Sequence, residues 1–152
     1  MLSITYTVSS GLVESNLIQG VIFVATGTDL FNLAGKKALI TGSSQGIGFA
    51  LAKGMAAAGA HIILNGRDTS KLQTAADALA KEGATVSQLA FDATDGAAVS
   101  AAVDAFEAEQ GAIDILINNA GMQHRTPLED FPADKFELLL KTNITSVFLV
   151  GK

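Results

Sequence analysis

The sequence predicts an α/β fold, an open doubly wound parallel sheet, and three observations carry that prediction. Short apolar runs alternate with helical patterns from Lys37 onward, the runs are apolar nearly throughout as in strands covered on both faces, and glycines crowd the junction behind the first run. The four runs are "KALIT" (37–41), "HIILN" (61–65), "TVSQLAF" (85–91) and "IDILIN" (113–118). Three helical patterns lie between them, so the order is βαβαβαβ. That order implies parallel strands, right-handed crossovers and a site beyond the carboxyl ends of the strands.

Each helix has its own justification. In the first, Ile47, Ala50, Leu51 and Met55 are expected to share the apolar face, with Gly59 as the stop. In the second, Thr69 or Ser70 caps the start, Leu72, Ala75, Ala76 and Leu79 form the stripe, and Gly83 ends it. In the third, Asp95 caps a helix carrying Val99, Ala102, Val103 and Phe106, closed by Gly111. A last helix follows the fourth strand with the stripe Phe136, Leu139, Leu140 and Val147, and Asn143 interrupts it with an amide that must find hydrogen-bond partners.

Composition narrows the function classes. At 152 residues with 49% hydrophobic content and mean hydropathy +0.38, the chain suits one domain with a well-buried core. The absence of cysteine excludes disulfides and thiolate metal sites, and two separated histidines make no metal centre, so no metal is expected. A formal charge of −5 without a basic run disfavours nucleic acid and anionic membrane, and leaves a small molecule as the expected partner. No apolar stretch reaches the length of a membrane span. Residues 1–35 lack Lys and Arg, so "NLIQGVIFVATG" has no positive flank of the kind a secretory or transit signal needs, and a cytoplasmic location is expected. Residues 1–29 read as a leader, disordered or a misannotated start, and the patterned domain covers residues 30–152.

The glycines of "ALITGSSQGIGFALAKG" (38–54) suit a phosphate cradle. Gly42 permits a tight turn with positive φ, Gly46 lets the backbone approach a pyrophosphate, and Gly48 allows close packing of helix on strand. Free backbone N–H groups at the helix start, where Gln45 and Ile47 stand, then face the phosphates at the positive end of the helix dipole, and Ser43 and Ser44 can add hydroxyl donors. A glycine-rich connecting turn is the alternative.

"TGSSQGIG" resembles the cofactor motif of the short-chain dehydrogenase/reductase family, and "NNAG" (118–121) at the end of the fourth strand resembles the family's second element. The longer stretches "LFNLAGKKALITGSSQGIG" and "NNAGMQHRTPLEDFPADKFELLLKTNITSVFLVG" resemble the gluconate 5-dehydrogenases within it. The resemblance covers residues 30–152. It implies a Rossmann-type sheet, truncated after the fourth strand and the following helix, and hydride transfer between a nicotinamide cofactor and a sugar acid such as gluconate or 5-ketogluconate. It implies cofactor contacts at Asn119, Ala120 and Gly121, an adenine contact at Asp92 with Ala93 beside it, a catalytic role for Asn143, and a homo-oligomeric intact enzyme.

The end of the second strand, "LNGRD", has Gly66 where an acid would hold both ribose hydroxyls. Asn65 precedes it and Arg67 follows, so a guanidinium can meet a 2′-phosphate, and NADP is expected in preference to NAD. A solvated loop charge partly neutralised by Asp68 is the alternative. Arg125 can bind a sugar-acid carboxylate or be an exposed loop charge, His124 is a weaker candidate, and His61 is expected to be structural. The family's Tyr-x-x-x-Lys pair is absent, because the one tyrosine is Tyr6. The chain alone is therefore expected to be inactive; the alternative to a dehydrogenase portion is a non-catalytic nucleotide-binding module, or an inactive fragment that persists with a partner.

Overall fold

The computed structural model describes residues 29–152. The readings of the leader and of Tyr6 fall on residues outside these, except at Asp29. The chain divides into two units, Met1–Asn32 and Leu33–Lys152. In the first, Asp29–Phe31 form a turn of 3-10 helix.

The second unit is the predicted α/β layer structure. Strands β1 (Lys37–Ile40), β2 (His61–Gly66), β3 (Val86–Ala90) and β4 (Ile115–Ile117) pair in parallel in the order β3-β2-β1-β4. Between them run α1 (Gly46–Ala57), α2 (Thr69–Lys81) and α3 (Gly96–Gln110). Alternation along the strands builds a core on each face. Ala38, Ile40, Ile62 and Leu64 meet Ala52 of α1 and Leu72, Ala75, Ala76 and Leu79 of α2. Leu39 and Ile63 point the other way, toward Val99 and Phe106 of α3 and toward Phe91. Ile62, Ile63 and Leu64 have no exposed surface, and each such side chain contributes about 1.5–3 kcal/mol relative to exposure.

Two helix readings need correction. The α1 face against the sheet consists of Gly48 and Ala52 with Phe49, Met55 and Ala56 beside them, whereas Ile47, Ala50 and Leu51 face outward. At Gly48 the helix approaches the loop after β1 too closely for a side chain, and the larger Phe49 and Met55 flank that contact. The cap of α2 is Asp68, whose carboxylate accepts the Lys71 N–H at 3.1 Å, rather than the predicted Thr69 or Ser70. Asp95 caps α3 as expected, accepting from Ala97 and Ala98.

The strand β4 is half the length of its apolar run. Ahead of it Ile113 gives its N–H to Glu107, and Asp114 accepts the Lys37 N–H at 2.9 Å while pairing with Lys36 at 3.0 Å. The final segment is not one helix. It comprises α4 (Ala133–Leu140), one π-turn (Lys141–Thr145) in which the Ser146 N–H reaches back to the Lys141 carbonyl, and α5 (Ser146–Gly151). Among the described residues, no helix is long and apolar enough to cross a membrane, and no cluster of three or more His, Asp or Glu is arranged to hold a metal.

Candidate functional site

The carboxyl ends of β1, β2, β3 and β4 bring together the glycine loop, Asn65 to Arg67, Asp92 and the NNAG segment. Gly42 and Gly46 both have φ of +63°, a conformation that side chains disfavour. Their surroundings differ. A Cβ on Gly42 would lie 3.0 Å from the Ala120 backbone, whereas one on Gly46 would meet nothing within 4 Å, so Gly46 faces open space. Gly48 is the tightest point, where a Cβ would sit 2.5 Å from the Asn119 amide nitrogen and 2.6 Å from the Gly42 carbonyl.

The start of α1 has no capping side chain, in contrast to Asp68 on α2 and Asp95 on α3. Gln45 stands at its N-cap in extended conformation and is exposed, as is Ile47. Uncapped N–H groups at a glycine-lined helix start are suited to accept an anion.

The two motifs are joined by a residue the sequence reading passed over. Thr41, 1% exposed, accepts at its hydroxyl the N–H groups of Asn119 and Ala120, each at 2.9 Å, and its own N–H donates to the Ile117 carbonyl at 3.0 Å. Asn119 returns the contact through its amide NH2, which donates to the carbonyls of Thr41 (2.9 Å) and Gly42 (3.1 Å). The only sequence signal was a threonine between the last apolar residue of β1 and the first glycine.

Two expected ligand contacts are scaffold instead. The Ser43 side chain is fully buried; its hydroxyl donates to the Ile40 carbonyl at 2.7 Å and accepts the Asn65 N–H at 3.0 Å, so it offers no donor to a phosphate. Asn65 is 2% exposed, its side-chain Oδ1 taking the Gly42 N–H and its NH2 reaching the carbonyls of Leu89 and Phe91. This amide staples the ends of β1, β2 and β3. Ser44 is half-buried near Gly66 and keeps its hydroxyl clear of such bonds.

At the outer edge, Asp92 is held below the usual carboxylate range, first by the Thr94 N–H (2.9 Å) and then by the Thr94 hydroxyl (2.8 Å) and the Arg67 guanidinium (3.5 Å), against the opposing effect of burial. Ala93 beside it is buried. On the other side, Gly121 leads to Met122, whose N–H donates to Asn143 Oδ1 at 2.8 Å and whose carbonyl accepts from Asn143 Nδ2 at 3.0 Å. Asn143 is thus exposed within the π-turn rather than buried among the apolar side chains of a continuous helix; both ends of its amide are satisfied by one backbone residue. Arg125 is exposed with its guanidinium on Gln123 at 3.0 Å, and His124 packs edge-on against Phe131 at 5.2 Å. His61 lies at the opposite end of β2, bonded to Ser87, its pKa lowered by burial and then by Lys37. A cavity of about 450 Å³ between β4, α3 and α5 is lined by Val99, Val103, Leu116 and Leu149 and contains none of these site residues.

A parallel sheet in this strand order, with an uncapped glycine-lined helix start at its centre, defines a Rossmann-type α/β protein. The chain belongs to the short chain dehydrogenase family, whose model matches residues 36–152. It is 49% identical over 124 residues to the gluconate 5-dehydrogenase of Gluconobacter oxydans, covering 82% of this chain and 48% of that one. It is 44% identical to the 5-keto-D-gluconate 5-reductase of Escherichia coli K12 over 82% of this chain and 49% of that one. Among solved structures, the gluconate 5-dehydrogenase of Burkholderia cenocepacia J2315 in complex with NADP and tartrate superposes with a TM-score of 0.79 at 47% identity, over 83% of this chain and 49% of that one. The chain spans about half the length of these relatives.

Proposed function

We propose that the chain supplies the NADP-binding part of a sugar-acid oxidoreductase of the gluconate 5-dehydrogenase kind. The observation that carries this reading is the uncapped start of α1, open at Gly46 and braced from behind by Asn119 on the Thr41 and Gly42 carbonyls. The residues fit the cofactor. The N–H groups from Ser44 to Ile47 and the Ser44 hydroxyl are positioned to hold the pyrophosphate, with Gly48 and Gly42 shaping the turn, while Asp92 and Ala93 border the adenine side and Arg67 the 2′-phosphate. When bound, the nicotinamide would supply or accept the hydride.

Ala120 and Gly121 form the floor on the other side, and Asn143 holds the Met122 backbone so that the following loop presents Arg125, a candidate for the carboxylate of gluconate or 5-ketogluconate. The similarity to gluconate 5-dehydrogenases supports that substrate class. Self-association is supported by the apolar row of Phe136, Leu140, Ile144, Val147 and Phe148, exposed along α4, the π-turn and α5. With Tyr6 as its one tyrosine, the 152-residue chain has no Tyr-x-x-x-Lys, which favours a second reading for the isolated chain: nucleotide binding without turnover.

Fluorescence titration of the 152-residue chain with NADPH tests the proposal. Binding that is lost in Gly46→Val is expected, since the new side chain fills the approach and strains the positive φ. Absence of binding, or binding indifferent to that change, would overturn it. No gluconate-dependent NADPH formation is expected from this chain; steady turnover would refute the assignment of the acid/base step to residues it lacks.

A further inference from the structure

The register of the sheet places an acid directly beside the arginine expected to recognise the 2′-phosphate. Gly66, the last residue of β2, pairs with Ala90, the last residue of β3, so Arg67 and Asp92 emerge side by side. The two oxygens of Asp92 have separate duties. Oδ1 accepts both the N–H and the hydroxyl of Thr94, which fixes the carboxylate in its turn, and Oδ2 faces Arg67 Nη1 at 3.5 Å. Arg67 is 79% exposed, so the pair neutralises the guanidinium without immobilising it. The same contacts keep the acid ionised at neutral pH.

From this we infer that Asp92 is a specificity-determining residue that restrains the preference for NADP and keeps NAD admissible. The inference rests on the reading of Arg67 given above and deepens it. NADPH and NADH differ by one phosphate of nearly two negative charges. A carboxylate that cannot swing away both cancels part of the Arg67 charge and repels that phosphate, while affecting NADH much less. Arg67 therefore discriminates less than an arginine without an acid neighbour would.

The informative variant is Asp92→Asn. Its amide oxygen can still accept from Thr94, so the turn is retained, while the charge facing Arg67 is removed. With the 152-residue chain and fluorescence titrations at low salt, the ratio of NADPH to NADH affinity is expected to rise about two- to fivefold in Asp92→Asn, the scale of an exposed ion pair. The increase should shrink at high salt. In Arg67→Ala the ratio should fall. A second measurement needs no nucleotide: the Asp92 carboxyl, followed by NMR, should titrate at higher pH in Arg67→Ala than in the parent chain. If Arg67→Ala lowers the ratio but Asp92→Asn leaves it unchanged or reduces it, the inference about Asp92 fails and the reading of Arg67 survives. An Asp92 titration unmoved by Arg67→Ala also overturns the inference alone. If Arg67→Ala leaves the ratio unchanged, or the chain binds neither nucleotide, both fail.

Discussion

Replacing Gly48 by alanine should destabilise the protein, although the same change six residues along the same helix, at Gly54, should stabilise it. A methyl at Gly48 would lie 2.5 Å from the Asn119 amide nitrogen, 2.6 Å from the Gly42 carbonyl and 2.9 Å from the Ser43 Cα. Two of these three neighbours are backbone, so relief requires moving α1 or the loop. Overpacking of this kind costs roughly 1–3 kcal/mol. If Asn119 gives way instead, its hydrogen bonds to Thr41 and Gly42 are lost, at about 0.5–1.5 kcal/mol each. The two routes are alternatives, so the expected loss is about 1–3 kcal/mol. At Gly54 a methyl meets nothing within 4 Å and φ is ordinary, so Gly54→Ala should stabilise by about 0.4–1 kcal/mol. Urea denaturation followed by circular dichroism gives both values on one scale. Equal shifts of the same sign in the two variants would refute the claim that the approach of α1 to the loop is limited by contact at Gly48.

Asn143→Ala should release the Met122 backbone at a cost of about 1 kcal/mol, two exposed hydrogen bonds being discounted for solvent, and hydrogen exchange at the Met122 amide should quicken; unchanged protection there would contradict the clamp. Acid should act through two groups with definite signs. Asp114 has a carboxyl held low by the Lys37 N–H and then by Lys36, so its contribution is complete above the unfolded value near 3.9 and vanishes as pH falls through the lower folded one; Asp114→Asn should flatten that limb of the stability–pH curve. His61 is also lowered, from its ordinary 6.5, but there the folded state favours the neutral ring, so stability should decline as pH drops below about 6.5, and His61→Gln should remove this slope from denaturation curves collected between pH 5 and 8. Sedimentation should show species heavier than 15.6 kDa, reduced by Ile144→Glu with Phe148→Glu, because side chains that are 65% and 67% exposed lose about 1.5–3 kcal/mol each when left wholly in water; a monomer at all concentrations would reject this.

The strands β1 and β2 were legible because a strand covered on both faces must be apolar nearly throughout, and α2 because its four predicted stripe residues are the four it buries. Size misled the reading of α1. The large side chains Ile47 and Leu51 marked its apolar face by pattern, but at the closest approach to the sheet only Gly48 and Ala52 fit, and the large residues that flank them are Phe49 and Met55. At the site, Gly42, Gly46 and Gly48 were readable from local requirements of φ and space. Ser43 and Asn65 were not, because their partners lie 22 residues apart and only the folded sheet brings them together. The same holds for Thr41, whose hydroxyl serves residues 78 and 79 positions away. A polar residue beside a glycine motif has the same composition whether it serves a ligand or the scaffold.

Thr41 makes the two sides of the crevice a single mechanical body. Its hydroxyl oxygen and backbone N–H bind the end of β1 to residues 117, 119 and 120, so the glycine loop and the NNAG segment inherit the stiffness of the sheet centre. The loop beginning at Met122 is secured differently, to a side chain on the π-turn. Adjustment to differently shaped guests therefore falls to that loop, and it must travel with α4 and α5. A floor that does not yield beside a wall that follows α4 and α5 lets one side of the crevice change shape without disturbing the other.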